Sequence, residues 1–249
     1  GNLNPSRPTV TNGRLNVFKA LSAGQTGPGL SISDASVTEG NTGTVGMVFT
    51  VTLSAPSTQP VTVNFATANG TAGASDYVSA SDTLTFAPGE TSKTITVQVI
   101  GDVLNEANET FFVNLSSPVN ATIADGQGVG TILDDDPAPS LTIGDVSLAE
   151  GNRGTTPFIF TVTLSAASGQ TVTVNYATAN GTATTSNSDY TAKSGTLTFA
   201  PGETSKTITI SVRGDRRIEA NETFFVNLTG PTNATLADGQ GVGTILNDD

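Results

Sequence analysis

From residue 30 onward the chain alternates between apolar and polar positions. Phe49, Val51 and Leu53 stand between threonines in FTVTL, and Ile95, Val97 and Val99 are separated by Thr96 and Gln98. Successive side chains of an extended strand face opposite ways, so period two with β-branched residues predicts half-buried antiparallel strands. The pattern is interrupted at Ala87–Glu90 (APGE) and Asn69-Gly70, both of which read as turns between strands. No segment beyond residue 20 shows a helical period.

The alternating pattern occurs twice. FTVTLSA at Phe49 returns at Phe160, TLTFAPGETSKTIT at Thr83 returns at Thr196, and ADGQGVGTIL at Ala124 returns at Ala237. The offset is 111 residues before the GTA loop and 113 after it, so the second copy carries a two-residue insertion near Ser186–Ser188. An insertion tolerated there predicts a surface loop. About seven short strands in roughly 100 residues predict an immunoglobulin-like sandwich. The expected organisation is an extension over 1–29, repeat one over 30–136, a Pro-containing linker over 137–139, and repeat two over 140–249. Pro137 and Pro139 favour a short, stiff connection.

Composition narrows the chemistry. The 249 residues hold no Cys and no His, so neither Ser-His-Asp nor Cys-His nucleophile systems can be built from them. Zinc sites of His and Cys are excluded on the same ground. Only 13% of residues are charged, which is unlike a disordered acidic tail and suits a β-rich secreted or cell-surface protein. Without disulfides, a domain working outside a cell needs another source of rigidity. No apolar run is long enough to insert into a membrane. The net charge of −12 disfavours nucleic acid and anionic membranes and attracts cations.

The acidic residues are gathered. GDVLNEANETFFVNL at Gly101 and GDRRIEANETFFVNL at Gly214 each place three carboxylates directly before an apolar strand. Carboxylates at i, i+4 and i+7 converge if the loop makes a helical turn, whereas an extended loop aligns i, i+2 and i+4; either way Asp102, Glu106 and Glu109 can point at one spot. Like charges gathered this way repel unless a cation sits between them. Residues 30–136 contain a single basic side chain, Lys93. A hard cation with oxygen ligands is the partner this arrangement calls for, and flexible carboxylate loops favour Ca²⁺ over Mg²⁺.

Taken together, TEGN, FTVTLS, SDY, LTFAPGETSKTIT, the D-x-x-x-E-x-x-E-T-F-F-V-x-L run and the closing GVGTILDDD resemble the Calx-beta domain. The resemblance covers 30–136 and 140–249. It implies a calcium cluster in repeat one made of Glu39, Asp76, Asp102, Glu106, Glu109, Asp134, Asp135 and Asp136, with the backbone carbonyl of Leu104 as a further ligand. In repeat two the matching positions are Glu150, Asp189, Asp215, Glu219, Glu222, Asp248 and Asp249, with Arg217 where repeat one has Leu104. Repeat two departs from the pattern at Asn247, which replaces the first acid of the closing triplet, and at Arg216-Arg217. These departures predict weaker binding there.

Other signals carry less. GQGVG at Gly126 lacks the strand–loop–helix context of a phosphate loop and reads as turn glycine. The eight N-x-S/T sequons reflect an Asn- and Thr-rich composition. Isolated carboxylates such as Asp34, Asp82 and Asp125 read as solvated surface. Paired carboxylates can do glycosidase chemistry, but the absence of Trp argues against a sugar cleft. Residues 13–21 (GRLNVFKAL) resemble the C-terminal end of a subtilisin-like protease domain, which would make the chain a fragment of a larger secreted serine protease without its catalytic residues. RPTVT offers an alternative, a donor strand completing a neighbour's sheet. The sequence thus predicts a non-catalytic calcium-binding module, stiffened by metal at loop ends and at the repeat junction. The competing expectation is a structural or adhesive subunit that joins other copies of itself or a cell-surface or matrix protein.

Overall fold

The computed structural model describes residues 27–249, so the readings of 13–21 and of RPTVT lie outside the described residues. The described chain is all-β and forms two compact units. In the first, the strands are β1 (Gly29–Ile32), β2 (Ala35–Thr38), β3 (Thr44–Leu53), β4 (Val61–Asn69), β5 (Ser81–Phe86), β6 (Ser92–Ile100), β7 (Glu109–Val119), β8 (Thr122–Asp125) and β9 (Gln127–Leu133). They make a four-stranded sheet ordered β6-β3-β1-β8 and a five-stranded sheet ordered β2-β9-β7-β4-β5. The second sandwich repeats this plan. Its strands are β10 (Ser140–Ile143), β11 (Val146–Ala149), β12 (Gly154–Leu164), β13 (Val172–Asn180), β14 (Ser194–Phe199), β15 (Ser205–Gly214), β16 (Glu222–Thr232), β17 (Thr235–Leu236) and β18 (Gln240–Leu246), in sheets β15-β12-β10-β17 and β11-β18-β16-β13-β14.

The alternation read from the sequence sets the two faces. Met47, Phe49, Val51 and Leu53 of β3 are buried, as are Ile95, Val97 and Val99 of β6. Their registers match at Phe49 and Ile95. Inside the first sandwich Tyr77 stacks on Phe111 at 4.4 Å, and Phe49 meets the same ring edge-on at 5.9 Å. Tyr190, Phe224 and Phe160 rebuild the trio in the second sandwich. Each ring removed from water contributes about 1.5–3 kcal/mol. At APGE the expected turn is present: Glu90 N–H bonds the Ala87 carbonyl at 3.0 Å, and Gly89 takes a φ of 88° that other residues rarely adopt.

Each sandwich has nine strand segments where the pattern predicted about seven, because the first and last strands each divide between the two sheets. The divided strands pair in parallel, β1 with β8 and β10 with β17, and β11 with β18. Asp34 sits where the first strand changes sheet, and its carboxylate accepts the Val129 N–H at 2.8 Å. Asp145 does the same for Val242. Asp34 is therefore exposed but has a structural bond, which amends the solvated-surface reading.

The GQGVG glycines are also corrected. Gly128 and Gly130 lie within β9, where a Cβ on Gly130 would meet the Phe111 ring at 2.6 Å and one on Gly128 the Ser33 carbonyl at 2.6 Å. They admit a ring and a neighbouring backbone; they do not make a turn. The sequon asparagines likewise have structural partners; at the acidic loops Asn108 Oδ1 accepts the Asp134 N–H and Asn221 Oδ1 accepts the Asn247 N–H, both at 3.1 Å.

The registers bring the acidic loops to one end of each sandwich. Thr44 pairs with Ile100, Asn69 with Phe111, and Glu109 with Ile132. The segment after β2, the β4–β5 and β6–β7 loops, and the segment after β9 therefore emerge together.

Candidate metal centre

Glu39 follows β2, and its N–H bonds the Leu133 carbonyl at 3.2 Å. Its side chain is 7% exposed. Burial, followed by the nearby carboxylates of Asp102, Asp134, Glu106 and Asp136, pushes its carboxyl up to about 7. Asp136 is 6% exposed and is also raised, by burial and then by Asp134 and Asp135. Asn41 Nδ2 donates to Asp136 Oδ1 at 2.7 Å, whereas Oδ2 is buried with no hydrogen-bond partner. One oxygen each from Glu39, Asp134 and Asp136 lie within 4.8 Å of one another.

A second gathering holds one oxygen each from Asp76, Glu106 and Glu109, again within 4.8 Å. Asp76 is fixed by the Gly73 N–H at 2.6 Å. Burial works to raise its carboxyl, but the hydrogen bonds from Gly73, Ser75 and Glu109 together hold it below the usual carboxylate value. Asp102, Glu106 and Glu109 thus lie in one acidic region, with Glu106 acting on Glu39 beside Asp102 and also gathered with Asp76 and Glu109. Residues 101–108 form an irregular loop and no helical turn. Glu106 and Glu109 join Asp76, and Asp102, which accepts the Leu104 N–H at 2.7 Å, acts on Glu39 together with Glu106.

The remaining residues of the triplet are placed by backbone bonds. Asp134 Oδ1 accepts the Glu106 N–H at 3.0 Å, and its Oδ2 accepts Asn105 Nδ2 at 3.2 Å. The exposed Asp135 accepts the Gly40 N–H at 3.1 Å and stands outside both gatherings. Half-buried Leu104 lies beside Asp102, consistent with its loop position. Lys93, the single basic residue of 30–136, is committed to Glu90 at 2.9 Å. No cation of this repeat offsets the acidic ends of the loops.

Repeat two builds the same frame with less charge. Glu150 is 6% exposed and pushed up to about 7 by burial, then by Asp215, Glu219, Asp248 and Asp249. Glu222 is raised by burial and by Asp189 and Glu219. Asp189 accepts the Thr184 N–H at 2.7 Å, matching Asp76. Asn247 accepts the Glu219 N–H at 3.3 Å, so it keeps the hydrogen bond of Asp134 without its charge. Asp248 accepts the Gly151 N–H at 3.1 Å. The Arg217 guanidinium reaches Glu219 at 3.4 Å, and the Arg217 backbone N–H donates to Asp215 Oδ1 at 2.7 Å. Among the described residues, triple gatherings of carboxylates arise in repeat one alone.

Sequence reasoning missed Asn41 and Asn105, which orient Asp136 and Asp134. Both are asparagines inside the motif runs, and nothing in their spacing separates them from the many others. It also missed Gly101 and Gly214, where a Cβ would strike the Gly40 and Gly151 carbonyls.

The donors are all oxygens, mostly carboxylate, drawn from four loops of unequal length. A carboxylate such as Asp136, with one buried oxygen orphaned and two further carboxylates close by, is costly without a counter-charge. The set fits a hard divalent cation, and its irregular geometry suits Ca²⁺ better than octahedral Mg²⁺.

The family model described as Calx-beta domain matches residues 28–136 and 134–249. Human sodium/calcium exchanger 2 is 33% identical over 190 residues, covering 68% of this chain and 20% of its own length. Dog sodium/calcium exchanger 1 is 32% identical over 211 residues, covering 77% and 22%. The chain thus spans about a fifth of the length of these relatives. Among solved structures, CBD12 from CALX1.2 is 22% identical with a TM-score of 0.42, covering 87% of this chain and 99% of that one. Calcium binding domain CBD12 of CALX1.1 is 25% identical with a TM-score of 0.41, covering 81% and 79%. With two successive family matches that together span nearly all the described residues, the chain belongs to the Calx-beta family.

Proposed function

We propose that this chain is a non-catalytic tandem module that binds calcium at the loop ends of its sandwiches, more tightly in repeat one than in repeat two. The observation that carries the reading is the buried, unpartnered oxygen of Asp136 beside Glu39 and Asp134. Two gatherings in repeat one provide ligands for more than one ion. The full set of ligands we assign is Glu39, Asp76, Asp102, Glu106, Glu109 and Asp134–Asp136 with the Leu104 carbonyl, and in repeat two Glu150, Asp189, Asp215, Glu219, Glu222, Asp248 and Asp249 with the Arg217 carbonyl.

Calcium also stiffens the junction on this reading. Asn105 Nδ2 donates to Asp134 and to the Asp136 carbonyl at 2.8 Å, so the residues entering Pro137 are tied to an acidic loop. The module serves a longer protein as a calcium-dependent strut or sensor. A secreted or cell-surface setting is favoured by the Cys-free, Thr- and Asn-rich composition. The exchanger relatives make attachment to a membrane transport protein the competing setting. Self-association through edge strands, with an adhesive role, is the alternative assembly. We place the repeats at 30–136 and 140–249, with 137–139 as linker.

Calorimetric calcium titration of the full chain tests the ranking. Glu106→Gln with Glu109→Gln should remove the tightest binding event, and Glu219→Gln with Glu222→Gln should spare it. The reverse pattern would overturn the assignment.

A further inference from the structure

Three departures from repeat symmetry fall on one place in the second sandwich. An open cleft of about 880 Å³ lies at the ends of β12 and β15 and is lined by Arg153, Thr155, Thr185, Ser188, Arg213 and Asp215 among others. Arg213 of β15 pairs with Thr155 of β12. The equivalent pair in the first sandwich is Ile100 with Thr44, and the residue matching Arg153 is Thr42. Both arginines are therefore additions peculiar to repeat two. The third departure is the two-residue insertion, whose loop supplies Thr185 and Ser188 to the wall. That loop has a defined shape. Ser188 holds a φ of 70°, the Thr184 and Ser186 hydroxyls lie 3.0 Å apart, and Asn187 N–H bonds Thr184 Oγ1 at 3.2 Å.

Neither guanidinium has a carboxylate within salt-bridge distance among the described residues, although the chain carries 22 acidic side chains. Two cations brought to one cleft repel each other, and the single lining carboxylate, Asp215, leaves one positive charge over. In a molecule of net charge −12 this is a local reversal of sign. Guanidinium forks bind oxyanions through paired N–H bonds, and the hydroxyl-bearing walls add further donors. No exposed aromatic ring lines the cleft, so recognition rests on charge and hydrogen bonding, with no contribution from stacking.

We propose that this cleft binds a small, doubly charged organic oxyanion, a dicarboxylate or a phosphate ester. The cleft borders the acidic loops of repeat two and shares Asp215 with the calcium set assigned there. Its arginines and hydroxyls differ from those loops in charge and in ligand chemistry, and binding of the anion does not require the metal.

The test uses the full chain, isotopically labelled, in chelator and low salt, so that no ion can bridge an anion to the acidic loops. Succinate and glycerol phosphate are the two dianionic probes, and acetate is the singly charged control. The expected result is saturable amide shifts at Thr155, Thr185 and Ser188 with at least one dianion. Acetate should bind at least about tenfold more weakly, as loss of one charge-assisted pair implies. Which probe saturates decides between carboxylate and phosphate. Arg153→Thr with Arg213→Ile, the repeat-one residues, should abolish saturation while leaving the melting temperature unchanged. Arg213→Ile alone should weaken binding if the double variant is unstable. The proposal is overturned by no saturable shift with either dianion, by equal binding of acetate, or by shifts that survive the arginine replacements.

Discussion

At Glu39 the fold opposes a carboxylate's ordinary ionisation. Its proton is held up to a pH of about 7, as is that of Glu150, first because each side chain is buried and second because other carboxylates surround it. A native state that binds a proton more tightly than the unfolded chain gains stability below the unfolded value of about 4.5 and loses it as the pH rises through about 7. In chelator the melting temperature should therefore fall between pH 5 and pH 8. Glu39→Gln should flatten much of that slope, because an amide carries no proton to lose. With calcium bound the carboxylates must be ionised, so the slope should shrink or reverse. A metal-free melting temperature that rises from pH 5 to pH 8 would contradict this account.

At the scale of loops and strands, the close approach of backbone decides where the carboxylates meet. Gly101 follows β6 directly, and a Cβ there would collide with the Gly40 carbonyl and come within 2.6 Å of the Glu39 carbonyl. Gly101→Ala should thus push the Glu39 segment away from Asp102. Overpacking of this kind costs about 1–3 kcal/mol. The melting temperature should drop by several degrees in chelator, and calcium affinity should fall with it; wild-type values for both would remove this role. The sequence shows the strands and the acidic loops because both follow from local pattern, as FTVTL and DVLNEANE illustrate. It does not show that Glu106 stands both near Glu39, with Asp102, and in the gathering with Asp76 and Glu109. That arrangement follows the irregular path of 101–108 and the bonds of Asn105 and Asn41, whose partners are distant in the chain. The division of the first strand at Asp34 is hidden for the same reason, since its partner Val129 lies 95 residues away. The cleft arginines escape notice because each looks like an ordinary exposed residue until the strands pair.

For the whole molecule, net charge is the organising fact. Twelve surplus negative charges, many at the loop ends, mean that folding without metal works against Coulomb repulsion. The proposed stiffening of the junction follows from Asp134–Asp136 running into Pro137. Solution scattering should show a narrower distribution of dimensions in calcium than in chelator, and Asn at all three positions should abolish the difference. Unchanged profiles in a chain that binds calcium would assign any stiffness to packing alone. The most direct test of the central claim is thermal unfolding of the full chain in calcium, in magnesium and in chelator. An ion bound by the native state alone, at 100 times its dissociation constant, adds about 2.7 kcal/mol per site. The account predicts a melting temperature higher in calcium than in chelator by several degrees, with magnesium giving a smaller rise and Glu39→Gln with Asp136→Asn removing most of the calcium effect. Equal melting temperatures in calcium and in chelator would contradict it.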